Sequence, residues 1–255
     1  MGAIPSFLFA TGRSVVTLAD ATPAGQQAAW RGALVARDLG LPLELLDADD
    51  DAAGRLARLA PRAGLLVLPY RRGHPVADCL LGTAPERIFR SVSVPTLVVK
   101  GPATTSYRRV LVPVELDEDA AHLIHAARCL SRAPRIRVLH VLDRGQEHSL
   151  RLADAPEQAL RSQRQRRSRA AYAVLQRAIS GAGASDRTAA LVSFGDAGTR
   201  VMEVARASRA QLVVLGKRGL SAIEQLFTTS VSNRLIRGGG ADVLLLPSPR
   251  RARAP

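Results

Sequence analysis

Cysteine is almost missing from this chain. Cys79 and Cys129 stand far apart, with neither C-x-x-C nor Cys–His spacing, so the sequence offers no disulfide framework and no zinc pattern. Both thiols sit among apolar residues and are expected to be buried and free. Aromatic residues make up only 4%. Apolar packing must therefore come from Ala, Val and Leu, as in sheets covered by small-residue helices. No apolar run approaches the ~18 residues of a membrane helix. The opening MGAIPSFLFA lacks a basic stretch ahead of its short apolar patch, so no signal peptide is expected. It does match M-G-x-x-x-S through Gly2 and Ser6, a myristoylation pattern short enough to arise by chance. The expected compartment is the cytoplasm, with no membrane partner.

Acidic charge is also in short supply: 22 acids face 36 basic residues, a formal net charge of +14. Lysine is nearly absent as well, with Lys100 and Lys217 the only two, so the positive charge is almost all arginine. It is dispersed except for RSQRQRRSR, Arg161 to Arg169. That stretch has no interleaved aromatics on which bases would stack and reads as a solvated helix face. No specific nucleic-acid partner is expected, and any affinity for DNA or RNA should collapse with salt.

What the chain does have is a repeat. GLLVLPYRRGHPVADCLLGTAPERIFRSVSVPTLVVK begins at Gly64, and AQLVVLGKRGLSAIEQLFTTSVSNRLIRGGGADVLLLP begins 146 residues later, at Ala210. Each holds a β-rich apolar run, a basic turn with Gly, a small-residue pair, an amphipathic helix and a final strand. The spacing is too long for a solenoid and suits a duplicated domain. The starts correspond too: SVVTLAD (Ser14 to Asp20) and RVLVPVE (Arg109 to Glu115) are apolar runs ending in a carboxylate, each followed by an Ala-rich helix and a second strand. Continuous apolar runs alternating with helices indicate βαβ units in a parallel sheet covered on both faces. The second half should hold five strands and four helices. The first passes from its second strand almost directly to the helix before its fourth, and is shorter by one βα unit. GPATTSYRR, from Gly101, is the linker. The expected organisation is an N-terminal domain at 1–103, a C-terminal domain at 104–249 and a basic tail at 250–255.

Gly216-Lys217-Arg218-Gly219, followed after nine residues by Thr229-Ser230, is similar to the G-x2-G-x9-G-[S/T] signature of the nucleotide-binding universal stress proteins. VLVPVE, VLHVLD and FGDAGTRVMEVA resemble that family's first strand, second strand and entry to its third helix. The resemblance runs over about 108–247 and, with gaps, 13–100. It implies two tandem doubly wound domains, Rossmann-like and of the adenine nucleotide alpha hydrolase-like kind, with parallel five-strand sheets of which the first is reduced. It also implies ATP or a related adenine nucleotide, with Mg2+, in the C-terminal domain. Glu115 would lie by the adenosine end and Val141 would hold the base through backbone contacts. Gly216, Lys217, Gly219, Thr229, Ser230 and Val231 would surround the phosphates. In the family the last strand commonly mediates pairing, so two separate sheets should pack as a pseudo-dimer within the chain, with the first covering an apolar face of the second. A homodimer is a further implied partner.

The departures matter. The family's Asp is Glu115 here, one methylene longer, and its third Gly is Thr229, where the backbone should approach phosphate closely. The first half keeps Asp20 and the pair Gly82-Thr83, but its loop reads Tyr70-Arg71-Arg72-Gly73, a vestigial site. Blander readings stand beside each candidate. Gly216 and Gly219 suit a turn needing positive φ, and Ser230 suits a helix N-cap. Gly195-Asp196 is a turn and cap, and His122 with His125 is a surface pair with no third metal ligand nearby. No Ser–His–Asp group, carboxylate pair or Walker-type lysine is present, so the reading is a binder and no enzyme. The alternative is a dimerising scaffold in which both sites are vestigial.

Overall fold

The computed structural model describes residues 13–49, 52–59, 62–70, 94–116, 120–131, 133–143, 156–183, 187–217 and 240–247. The first half contributes β1 (Ser14–Ala19), α1 (Pro23–Leu39), β2 (Leu43–Asp47), α2 (Ala52–Leu59), β3 (Ala63–Pro69) and β4 (Thr96–Val99). The second contributes β5 (Arg109–Pro113), α3 (Ala120–Cys129), β6 (Arg135–Leu142), α4 (Glu157–Gly181), β7 (Thr188–Phe194), α5 (Ala197–Ala207), β8 (Leu212–Lys217) and β9 (Asp242–Pro247).

Local chemistry sets the ends of the helices. Thr22 caps α1 by accepting from Gly25 N, and Pro23 stands at its start, where a missing N–H costs nothing. Gly40 closes it at φ 68°, its N–H reaching the last carbonyls. Asp196 caps α5 by accepting from Thr199 N at 2.9 Å, after Gly195 turns the chain at φ 137°. The turn-and-cap reading of that pair holds.

The strands form one nine-stranded sheet in the order β2-β1-β3-β4-β9-β8-β5-β6-β7. All neighbours run parallel except β4 and β9, which pair antiparallel, Leu97 opposite Leu244 and Val98 opposite Val243. The expectation of two separate sheets is therefore corrected, and so is that of one half covering a face of the other. The last strand of each half is the join, as anticipated, but it joins edge to edge. The reason lies in the strands themselves. β4 is buried throughout and β9 nearly so; left open, each would expose an apolar edge of unpaired N–H and C=O groups. Two equivalent edges meet only by a two-fold rotation, which makes the junction antiparallel. The first half supplies four strands and the second five, the shortfall of one strand read from the sequence.

Side chains alternate between two cores. Val15, Leu65, Val112, Val138, Val214 and Leu244 face α1, α3 and α4, while Val16, Leu66, Leu111, Leu139, Val213 and Leu245 face α2 and α5. The helix α4 buries only Leu160, Ala171, Leu175 and Ile179; Arg161, Arg166 and Arg169 lie exposed on it, the solvated face expected of that cluster. Among the described residues, no helix is long and apolar enough to cross a membrane.

A buried polar knot ties the halves where β4 leaves the sheet and β9 enters it. Asp242, 1% exposed, accepts from Lys100 N (2.7 Å) and Gly101 N (3.0 Å) through Oδ1, and from the Tyr107 hydroxyl (2.6 Å) through Oδ2. Arg31 Nε lies 3.2 Å from the same Oδ2, as an ion pair and out of line for a hydrogen bond. The Arg31 guanidinium stacks 4.1 Å from the Tyr107 ring centre and donates to the carbonyls of Thr105 and Pro102. Breaking one partner of such a buried pair costs about 3–5 kcal/mol, because the other charge is left uncompensated.

Candidate functional site

In the second half, α3 follows β5 on one face and α5 precedes β8 on the other. The chain therefore changes direction between β5 and β8, and a ligand crevice opens outside the carboxyl ends of strands at such a point. The ladders bring the candidates to that edge. β5 aligns Pro113 with Leu139 of β6, and Leu111 with Val213 of β8. Continued at the same register, Glu115 stands level with Val141 and Lys217. Glu115 and Gly216 are exposed and Val141 is half-buried.

Gly216 and Lys217 are strand residues, paired with Leu246 and Pro247, so Lys217 is not inside the loop as expected. Gly216 is not among the positive-φ glycines of the described residues, which corrects the turn reading at that position. A Cβ there would meet Leu123 at 3.4 Å, an ordinary contact. The strand simply extends two residues further, because β9 supplies it with a partner to its end. Gly219, Thr229, Ser230 and Val231 lie outside the described residues. So do Gly73, Gly82 and Thr83 of the first half, and Gly2, Ser6 and Cys79.

Asp20 follows β1 at the opposite edge of the sheet, because the antiparallel join turns the two halves' carboxyl ends in opposite directions. It accepts from Thr22 N at 3.0 Å and from the Thr22 hydroxyl. Asp20 and Glu115 thus belong to different edges and contribute to no common site.

At this edge of the second half, Glu115 supplies an exposed carboxylate level with the ends of β6 and β8, whose own outer neighbours β7 and β9 pair with them to their last residues. Sequence reasoning passed over His140, whose Nδ1–H donates to the Val114 carbonyl at 3.0 Å. Its signal was a lone imidazole in the apolar run VLHVLD. Arg31 and Asp242 were missed as well; the first is a charge on the apolar face of a helix, the second heads an apolar strand. On α3, His125 Nε2 sits 3.5 Å from Cys129 Sγ. Burial, then the Arg128 charge, lowers the His125 pKa, while burial raises that of the Cys129 thiol. Cys129 is half-buried and free, less enclosed than expected. Among the described residues no group of three His, Cys, Asp or Glu is placed to hold a metal.

No curated protein matches the chain. Among solved structures, a universal stress protein from Archaeoglobus fulgidus DSM 4304 is 14% identical, over 94% of this chain and 98% of that one, with a TM-score of 0.61. A functionally unknown protein from Pseudomonas aeruginosa PAO1 is 16% identical over 94% of both chains, with a TM-score of 0.59. A universal stress protein in complex with cAMP covers 56% of this chain and 99% of its own, at 21% identity and a TM-score of 0.41. At these identities the first two likenesses speak for the fold alone. The family model described as Universal stress protein family matches residues 106–247, more than half of the chain. The signature at the end of β8, the strand order around it and that match lead to one conclusion: the chain belongs to the universal stress protein family.

Proposed function

We propose that this protein is a non-catalytic stress-response regulator that binds ATP or a related adenine nucleotide at the carboxyl edge of β5, β6 and β8. The observation that carries the reading is the alignment of Glu115, Val141 and Lys217 at one level beside the crossover between β5 and β8. The signature residues Gly219, Thr229 and Ser230 follow in sequence from that strand end. Glu115 would bind the ribose, the backbone at Val141 the base, and Gly216 to Val231 the phosphates, whose charge the nucleotide itself supplies. In this reading residues 104–249 form the binding domain, 1–103 a domain that has lost its own site, and 250–255 a basic tail, in a cytoplasmic protein.

Affinity should be weak, since Thr229 crowds the phosphate approach and Glu115 reaches further than an aspartate. Calorimetry with ATP, with and without Mg2+, tests this on the wild type, Thr229→Gly and Gly219→Val. Tighter binding is expected in Thr229→Gly, provided the gain exceeds the ~1 kcal/mol backbone cost of a glycine. No binding is expected in Gly219→Val. Three flat titrations from folded protein would discard the nucleotide reading and leave a dimerising scaffold.

A further inference from the structure

The sheet edge opposite the nucleotide candidate holds a cavity of about 470 Å³, at the starts of β5 and β9 and beside the end of α5. Arg31, Arg109, Met202, Arg206, Arg209 and Asp242 are among its lining residues. Four arginines thus face one aspartate. That aspartate is already saturated by two backbone N–H groups, the Tyr107 hydroxyl and the Arg31 guanidinium. Its charge is matched by Arg31, so it does not neutralise Arg109 or Arg209. Among the described residues, neither Arg109 nor Arg209 is paired with a carboxylate.

The rim is also built. Arg109 Nε donates to the Arg209 carbonyl at 2.7 Å. Gln211 Oε1 accepts from the N–H groups of Arg108 (2.7 Å) and Arg109 (3.1 Å). Arg209, just past the Ser208 C-cap of α5, has φ 49° and is the only non-glycine residue with positive φ among those described. Glycine is the unstrained choice at such a helix end, so a long cationic side chain is held there against the backbone preference. Strain of that kind points toward function.

We propose that this cavity binds a small, multiply charged oxyanion bearing phosphate or carboxylate groups. Guanidinium forks match oxyanions two bonds at a time, and Arg109, Arg206 and Arg209 are exposed at the mouth of the hollow, within reach of an anion from solution. Met202 and Ala205 provide an apolar wall for the rest of the molecule. The volume falls in the ~300–1,000 Å³ range of small-molecule sites. The lining comes from α1 and the linker on one side and α5 and β9 on the other, so the ligand would bridge the halves. The site is independent of the nucleotide reading, lying at the other edge of the sheet.

Calorimetry on the full chain, with inorganic pyrophosphate and with citrate as separate probes, tests it. Saturable binding of at least one probe is expected, and the tighter one identifies phosphate or carboxylate as the preferred group. Arg109→Gln and Arg209→Gly should each weaken that binding at least tenfold, while Arg166→Gln on the exposed face of α4 leaves it unchanged. Arg209→Gly relieves the backbone and should not lower the thermal midpoint, so its loss of binding is not a loss of fold. No saturable binding of either probe overturns the proposal. So does binding unaffected by the two cavity variants, an equal loss in Arg166→Gln, or a loss in Gly219→Val, which would put the probe in the nucleotide loop.

Discussion

Tyr107 makes its hydroxyl bond to a carboxylate at a place water does not reach. Burial raises its pKa well above the usual tyrosine value, and the charge of Asp242 adds to the rise. The folded protein therefore holds this proton more tightly than the unfolded chain. The stability it contributes is intact below pH ~10, where unfolded tyrosine ionises, and drains away as pH climbs toward the higher folded value. Tyr107→Phe keeps the ring under Arg31 but removes the donor, at a cost of about 1.5–3 kcal/mol for a hydrogen bond to a charged group. Urea unfolding at pH 8 should show that loss, and at pH 10.5 the gap between the two proteins should narrow. A gap that stays constant or widens would mean that the hydroxyl is not held as described.

Helix α1 lies on β1 closely enough that a single methyl decides its position. A Cβ added at Gly32 would fall 2.2 Å from Thr17 Oγ1 and 3.1 Å from Thr17 Cβ. Glycine to alanine inside a helix ordinarily gains up to ~1 kcal/mol. Here overpacking of about 1–3 kcal/mol works against it, since Thr17 is fully buried on a strand with neighbours on both sides. The clash should win, and Gly32→Ala should be destabilised in chemical unfolding. Thr17→Ala in the same chain should recover part of the loss, as a coupling that two separate effects would not show. Equal stability of Gly32→Ala and wild type would refute the close approach. The element itself was legible from its cap, its Pro and its closing Gly, all of which act within a few residues. Its closeness to β1 was not, because Gly32 reads in sequence as an ordinary helix glycine.

For the whole molecule, the junction of β4 with β9 is the decisive contact. Cutting before Arg108 removes the partner strand of β9 and takes Arg31, Tyr107 and two backbone donors from Asp242. The fragment then carries an open apolar edge and a buried carboxylate with nothing to pair it. We expect it to aggregate or to form a new dimer through β9, read by size-exclusion chromatography with light scattering. A stable monomer at the same concentrations would show that the first half is dispensable to the second.

Periodicity and local chemistry determined the strands and helices of this protein. SVVTLAD, RVLVPVE and DVLLLP announce strands because both faces of each must be apolar, and Gly195-Asp196 announces a helix start because a cap closes over three residues. The repeat, the missing βα unit and the signature after β8 were equally plain, since each is a matter of order and spacing along one chain. Tertiary structure alone decided that the two halves share one sheet, that Asp20 and Glu115 look out from opposite edges, and that Lys217 belongs to a strand. It also gathered Arg109, Arg206 and Arg209 around one hollow, where composition showed only dispersed charge. These outcomes depend on which edge meets which, and edge pairing brings together residues such as Lys100 and Asp242 whose relation no local pattern records.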